Sequence, residues 1–169
     1  FTLVDTGHHP LGTNIQHIVA FLIDEGKLGG FHFNDKKYGD DDLTVGSIDP
    51  YQLFLIFNEL IAEGDGEAID VAYMLDQSHN VKPKIEAMIQ SVLNIQIAYA
   101  KALLVNQENL REAQLEGDVI KAENILKGAF ETDVRPFLAQ FRTEMDLSSN
   151  PLDAYQKGGY AKKIARERD

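Results

Sequence analysis

The sequence predicts an α/β chain in which three strand–helix units build a parallel sheet with covering helices, followed by a helical extension. Two observations carry this. Apolar runs of period two and of period 3.6 alternate in the order strand, helix, strand, helix, strand, helix up to Leu104, an order that implies parallel strands joined by crossover helices. Beyond Val105 no further strand pattern occurs and charged, mostly helical segments take over. The divisions therefore fall at residues 1–104 for the strand–helix units and 105–169 for the extension. The extension is expected to pack against another part of the protein or another subunit.

Each element has its own justification. FTLVD is a short β-type run, and Asn14–Glu25 then places Ile15, Ile18, Val19 and Leu22 at helical spacing, with Thr13 or Asn14 as cap and Gly26 as stop. In GGFHFND the two-residue strand period puts Phe31 and Phe33 on one face, toward packed helices, and His32 and Asn34 on the other. Asp49 followed by Pro50 is a cap and first-turn pair, opening a helix with Leu53, Phe57, Leu60 and Ile61 on one side and ending near Gly64. AIDVAYMLD predicts a third strand, and Lys82–Leu104 a long helix with Ile85, Met88, Ile89 and Val92. Gln107–Gly117 and Asp118–Gln140 read as charged, mostly helical segments, and SSNPLDAYQKGGYAKKIARERD as turn-rich before a basic helical tail. No internal repeat or low-complexity block stands out.

Composition limits the function classes. The chain has 169 residues, 44% of them hydrophobic, enough for a real core but short of the roughly 250 residues of a whole (β/α)8 barrel. A formal net charge of −11 argues against a nucleic-acid surface, which needs a basic stripe to displace phosphate counterions. Negative charge can instead await cations. With no cysteine there is neither a disulfide framework nor a thiolate metal site, and a reducing cytoplasm is the expected compartment. FTLVDTGHHP lacks the basic start and apolar run of a signal peptide, and no apolar stretch has membrane length, so a soluble protein is expected. The sequence opens in mid-strand pattern without an initiator methionine, from which a missing N-terminal portion is expected.

Chemistry-bearing residues gather where the strands end. Asp5 closes the first strand with His8 three residues on; His32 lies near the end of the second, followed by Asp40 and Asp42; Asp76 closes the third. In parallel α/β barrels those ends converge on one mouth. Carboxylate oxygen and neutral imidazole nitrogen suit Mn²⁺, Mg²⁺, Co²⁺ or Zn²⁺, and six such groups exceed what one ion needs, so two divalent ions are expected. Each group has a structural alternative: Asp5 and Asp76 as caps or turn formers, Asp40–Asp42 as a solvated turn bent at Gly39, His32 as a hydrogen-bonded core histidine. If the 40–42 stretch is extended, Asp40 and Asp42 point one way and Asp41 the other. His9 is a loop neighbour of His8, and His17 has no assigned role. Ser78 and His79 follow Asp76 closely enough to line the same mouth next to a substrate, with a supporting role for His79 as the alternative. What favours metal is the coincidence of these groups at the same end of all three strands.

LVDTGHHP, GGFHFNDKKYGDDDL and MLDQSHN, together with IDPYQLFLIFNEL and AYAKALLV, resemble the corresponding segments of bacterial L-rhamnose isomerases of the broad-specificity type related to xylose isomerase. The likeness runs through essentially the whole chain. It implies the last three βα units of a (β/α)8 TIM barrel plus a C-terminal helical extension, the first five units lying outside this sequence. It further implies that Asp5 is shared between two metal sites, that His32 and Asp76 complete much of a structural site, and that His8, Asp40 and Asp42 hold a catalytic ion, Mn²⁺ being the leading choice. A glutamate ligand and a nearby lysine used by the family have no counterpart here, and the loop PLGTNIQ departs from the family pattern, so the sequence leaves catalytic residues beyond the ligands and sugar specificity open. Cytoplasmic homotetramers acting on a small sugar are what the family implies.

The implied reaction is an aldose–ketose interconversion, most simply L-rhamnose to L-rhamnulose, by hydride shift or through an enediol. It is redox-neutral, and no G-x-G-x-x-G fingerprint for a nicotinamide occurs at a strand–helix junction. Two alternatives stay open: a catalytically silent partial barrel needing a complementing chain, and a metal-dependent phosphoesterase on a similar barrel, against which the acidic balance counts.

Overall fold

A computed structural model describes residues 1–64, 68–77 and 81–168. Strand β1 (Thr2–Asp5) leads into helix α1 (Ile15–Asp24), β2 (Leu28–Phe33) into α2 (Pro50–Ala62), and β3 (Ala72–Leu75) into α3 (Lys84–Ala102). The three strands form one parallel sheet in the order β1-β2-β3. Helices α4 (Gln107–Glu116), α5 (Val119–Glu131), α6 (Arg135–Glu144), α7 (Pro151–Gly158) and α8 (Tyr160–Arg168) make up the extension. Among the described residues no single helix is long and apolar enough to cross a membrane.

The helix starts are where the capping residues predict them. Asn14 Oδ1 accepts from the His17 N–H at 2.9 Å and Asp49 Oδ1 from the Gln52 N–H at 2.9 Å, each satisfying an amide that the helix itself leaves unpaired. Thr13, the alternative cap, bonds the Pro10 carbonyl instead.

Two expectations need correction, and a third, the mostly helical 118–140 segment, gains a break. The third strand is shorter than AIDVAYMLD, because Ile69 N–H bonds the Leu60 carbonyl and Val71 N–H bonds the Ile69 carbonyl, a tight turn that ties the segment to the end of α2. Segment 118–140 is two helices: Thr132 is extended at φ −67°, ψ 129°, and α6 restarts with Pro136 in its first turn, where a missing N–H costs nothing. Residues 151–158, read as turn-rich, are helical because Asn150 Oδ1 caps the Asp153 N–H at 3.2 Å and Pro151 occupies the first position; Gly159, at φ 68°, then separates α7 from α8.

Strand alternation and parallel register divide the sheet into two unlike faces. Val4 pairs with Phe31 and Phe31 with Tyr73, and these, with Phe33 and Leu75, face the helices. Phe31 and Phe33 are 0% and 1% exposed, and their rings stack at 4.8 Å, with Phe57 of α2 stacked on Phe33 at 5.7 Å. Leu3, Gly30, Ala72 and Met74 line the opposite face, where Leu3 is 45% and Met74 40% exposed. Asp5, His32 and Met74 stand in one register row of that bare face, with Asp76 just beyond the end of β3.

Candidate metal centre

The site is built from the ends of the strands upward. At the end of β1, Asp5 Oδ1 accepts two N–H bonds, from Gly7 at 3.1 Å and from the Asn34 side chain at 3.0 Å. Its other oxygen, Oδ2, is left facing two imidazoles, 3.5 Å from His8 Nδ1 and 3.6 Å from His32 Nδ1. His32 Nδ1 in turn lies 3.2 Å from Asp76 Oδ2. Asp76 is carried there by one further rung of the sheet, its N–H bonding the Phe33 carbonyl at 3.1 Å. The next residue, Gln77, accepts from Ser91 of α3.

A second group forms on the other edge of the His8 ring. His8 Nε2 is 2.7 Å from Asp40 Oδ1 and 3.5 Å from Asp42 Oδ1. The two aspartates are delivered by a closed loop, not by an extended run. At its base Asp35 and Leu43 exchange both backbone hydrogen bonds, 3.0 and 2.7 Å, and Asp35 Oδ2 takes the Ile48 and Asp49 N–H groups at 2.7 and 3.1 Å. At its tip Asp41 Oδ2 accepts from the Lys37 and Tyr38 N–H groups, both at 2.7 Å. Those backbone bonds, Tyr38's before Lys37's, hold the Asp41 carboxyl below the usual carboxylate range. Asp42 adopts φ 45°, a left-handed conformation that aspartate tolerates better than most residues. Asp41 does point away from the pair, but because it closes the loop on itself.

Electrostatics match a site short of positive charge. The Asp42 carboxyl is pushed up, first by partial burial and then by the Asp40 charge. Its Oδ1 is buried with no hydrogen-bond partner. The charge of Asp5 above all, opposed by desolvation and helped by Asp40 and Asp42, raises His8 above its usual value, whereas His9 is lowered by burial and then by Lys36.

Of the sequence candidates, Asp5, His32 and Asp76 form one group and His8, Asp40 and Asp42 another. Asp5 sits in the first; it meets the second only through the opposite edge of the His8 ring. Ser78 and His79 lie outside the described residues. Both groups could hold a divalent cation. Donors held by bonds of roughly 2.1 Å stand about 3.0–3.4 Å apart at octahedral to tetrahedral angles, close to the 3.2–3.6 Å separations around His32 and the 3.5 Å between His8 and Asp42, whereas His8 Nε2 and Asp40 Oδ1, at 2.7 Å, stand at hydrogen-bond distance and have to part to admit an ion. Imidazole and carboxylate are the donors that Mn²⁺, Co²⁺, Mg²⁺ and Zn²⁺ share, and Asp42 Oδ1, buried without a hydrogen bond beside His8, is an oxygen free to serve as one. Spacing singled out the six groups but not their supports: Asn34, Thr6, Gly7, Asp35 and Asp41. Strand alternation put Asn34 on the face of His32; its place beside Asp5 and Gly7 follows from the parallel register of β1 and β2.

Fold and site together define an α/β chain whose parallel strands bring two histidine–carboxylate groups to one end of a sheet. No protein-family model matches the chain. Over 170 aligned residues, 99% of its length, it is 52% identical to a protein of Rhizobium meliloti named "probable sugar isomerase". It is likewise 52% identical, over the same share, to a protein of Mesorhizobium japonicum with that description. The matched region is 40% of each relative, so the chain spans about 40% of the length of the curated relatives it matches.

Proposed function

We propose that this chain is the metal-carrying part of an aldose–ketose isomerase, with L-rhamnose to L-rhamnulose as the leading reaction. The observation that carries the proposal is the convergence of two histidine–carboxylate groups at the C-terminal ends of parallel strands in a chain 52% identical to probable sugar isomerases. In this proposal Asp5, His32 and Asp76 hold one divalent ion and His8, Asp40 and Asp42 the other, with Mn²⁺ the preferred metal. Such ions, when bound, polarise a sugar carbonyl and lower the pKa of water. The chain's own task is to present neutral imidazoles and ionised carboxylates at fixed separations, and the loop closed by Asp35 and Asp41 does this for the second group.

We further propose that the three strand–helix units are the last three of a (β/α)8 barrel. The bare sheet face supports this, because parallel sheets are ordinarily covered on both faces. So do the two outer strands, each hydrogen-bonded, among the described residues, to a neighbour on one side only, since such edges invite further strands. Isomerase activity then needs the remaining five units, from the same polypeptide or a complementing one; a homotetramer in the cytoplasm is the proposed working form.

The test is ketose formation from L-rhamnose with Mn²⁺, in the protein as it is made in the cell. Activity should vanish with a chelator and return with metal. Phosphate release from a model ester in place of ketose formation would replace the isomerase reading.

A further inference from the structure

We infer that Asn34 is a positioning residue for the first ion, an inference that rests on the metal reading above. Asn34 touches no candidate ligand atom directly; it acts on Asp5 through the oxygen that faces away from the two histidines. Its Nδ2 donates to Asp5 Oδ1 at 3.0 Å, alongside the Gly7 N–H at 3.1 Å. With Oδ1 engaged by two donors, the carboxylate cannot rotate, and Oδ2 stays within 3.6 Å of both His8 Nδ1 and His32 Nδ1. Supporting partners of this kind orient a ligand without ligating.

Asn34 is itself held in place. It is 3% exposed, and Thr6 Oγ1 donates to its backbone carbonyl at 2.7 Å and accepts from its backbone N–H at 3.0 Å, with the Asn34 Oδ1 3.4 Å from the same hydroxyl. A second observation concerns Gly7. A Cβ there would fall 2.1 Å from Asn34 Oδ1, well inside van der Waals contact, so a side chain at position 7 and the Asn34 amide cannot both occupy this space. Gly7 thus serves twice, as a donor to Asp5 and as the gap that admits Asn34. The D-T-G at the end of β1 and the H-F-N at the end of β2 form one interlocking unit whose product is the orientation of a single carboxylate.

The test is a Zn²⁺ titration of the full-length protein, followed through the ring ¹⁵N resonances of His32 and His8, which report the two ions separately. Asn34→Asp keeps the shape of the side chain but puts a carboxylate oxygen where the donor stood. The midpoint read at His32 is expected to weaken about 10- to 100-fold, with the midpoint at His8 changing far less. Gly7→Ala, which displaces Asn34 by contact alone, is expected to reproduce that selectivity. An unchanged His32 midpoint in Asn34→Asp, with both rings responding in the wild type, would overturn this inference and leave the metal reading standing. Parallel loss at both rings would also overturn it, since Asn34 would then only support the fold. No response at either ring of the wild type would overturn the metal reading and this inference together.

Discussion

The two faces of the sheet are built from unlike residues and meet unlike surroundings. On one, Val4, Phe31 and Phe33 are sealed beneath α1 and α2 in an aromatic stack; on the other, Leu3, Ala72 and Met74 stand exposed around Gly30, where a Cβ would lie 2.6 Å from the Ala72 carbonyl oxygen. The candidate ligands stand at the end of the bare face. The chain packs one face of its sheet into the core and sets its candidate metal ligands at the end of the other.

That separation can be tested by substitution. Phe33→Ala on the sealed face removes a fully buried ring and should cost about 3–5 kcal/mol, read from chemical denaturation, with loss of folding as the extreme result. Asp5→Asn should weaken Mn²⁺ binding at the first ion beyond the roughly 100-fold that loss of a mere supporting partner costs, as calorimetric titration would show, with little change in the metal-free melting temperature.

The effect of pH should separate fold from function. His8 is raised by Asp5 and, more weakly, by Asp40 and Asp42, so the protonated ring stabilises the metal-free protein below the usual imidazole range. That contribution is lost as pH rises through the elevated value. Metal binding needs the neutral ring, so affinity at the His8 group should climb across the same interval, between about pH 5 and 8. Denaturation with and without Mn²⁺ over that range should give opposite slopes.

Asp41→Asn weakens the carboxylate that closes the 35–43 loop and should reduce affinity at the His8 group by about 10-fold while sparing the His32 group. Met74→Ala should be the mildest, within about 0.5 kcal/mol where its face is open. A cost of roughly 2 kcal/mol or more in the same denaturation experiment would mean that this face is covered in the working protein.

Much of this was legible in the residues. The alternation of Phe31 and Phe33 with His32 announced both faces of β2, and Asn14 and Asp49 marked their helix starts. The shortening of β3 was not legible, because its cause is a bond from Ile69 to the Leu60 carbonyl in another element. Asp40 and Asp42 share a side of the chain if the run is extended, with a solvated turn as the alternative; in the structure a clamped loop with Asp42 at φ 45° brings both to His8.

What the sequence determined by itself was periodic or local: the order of the strands and most of the helices, the caps at Asn14 and Asp49, and which residue types gather at strand ends. These follow from side-chain spacing and from hydrogen bonds a few residues long. Only the tertiary structure decided which oxygen of Asp5 is free, which nitrogen of His8 faces which carboxylates, and that Asn34 sits against Gly7. Those outcomes depend on contacts between different strands, where parallel register and steric clearance set distances that no local pattern encodes.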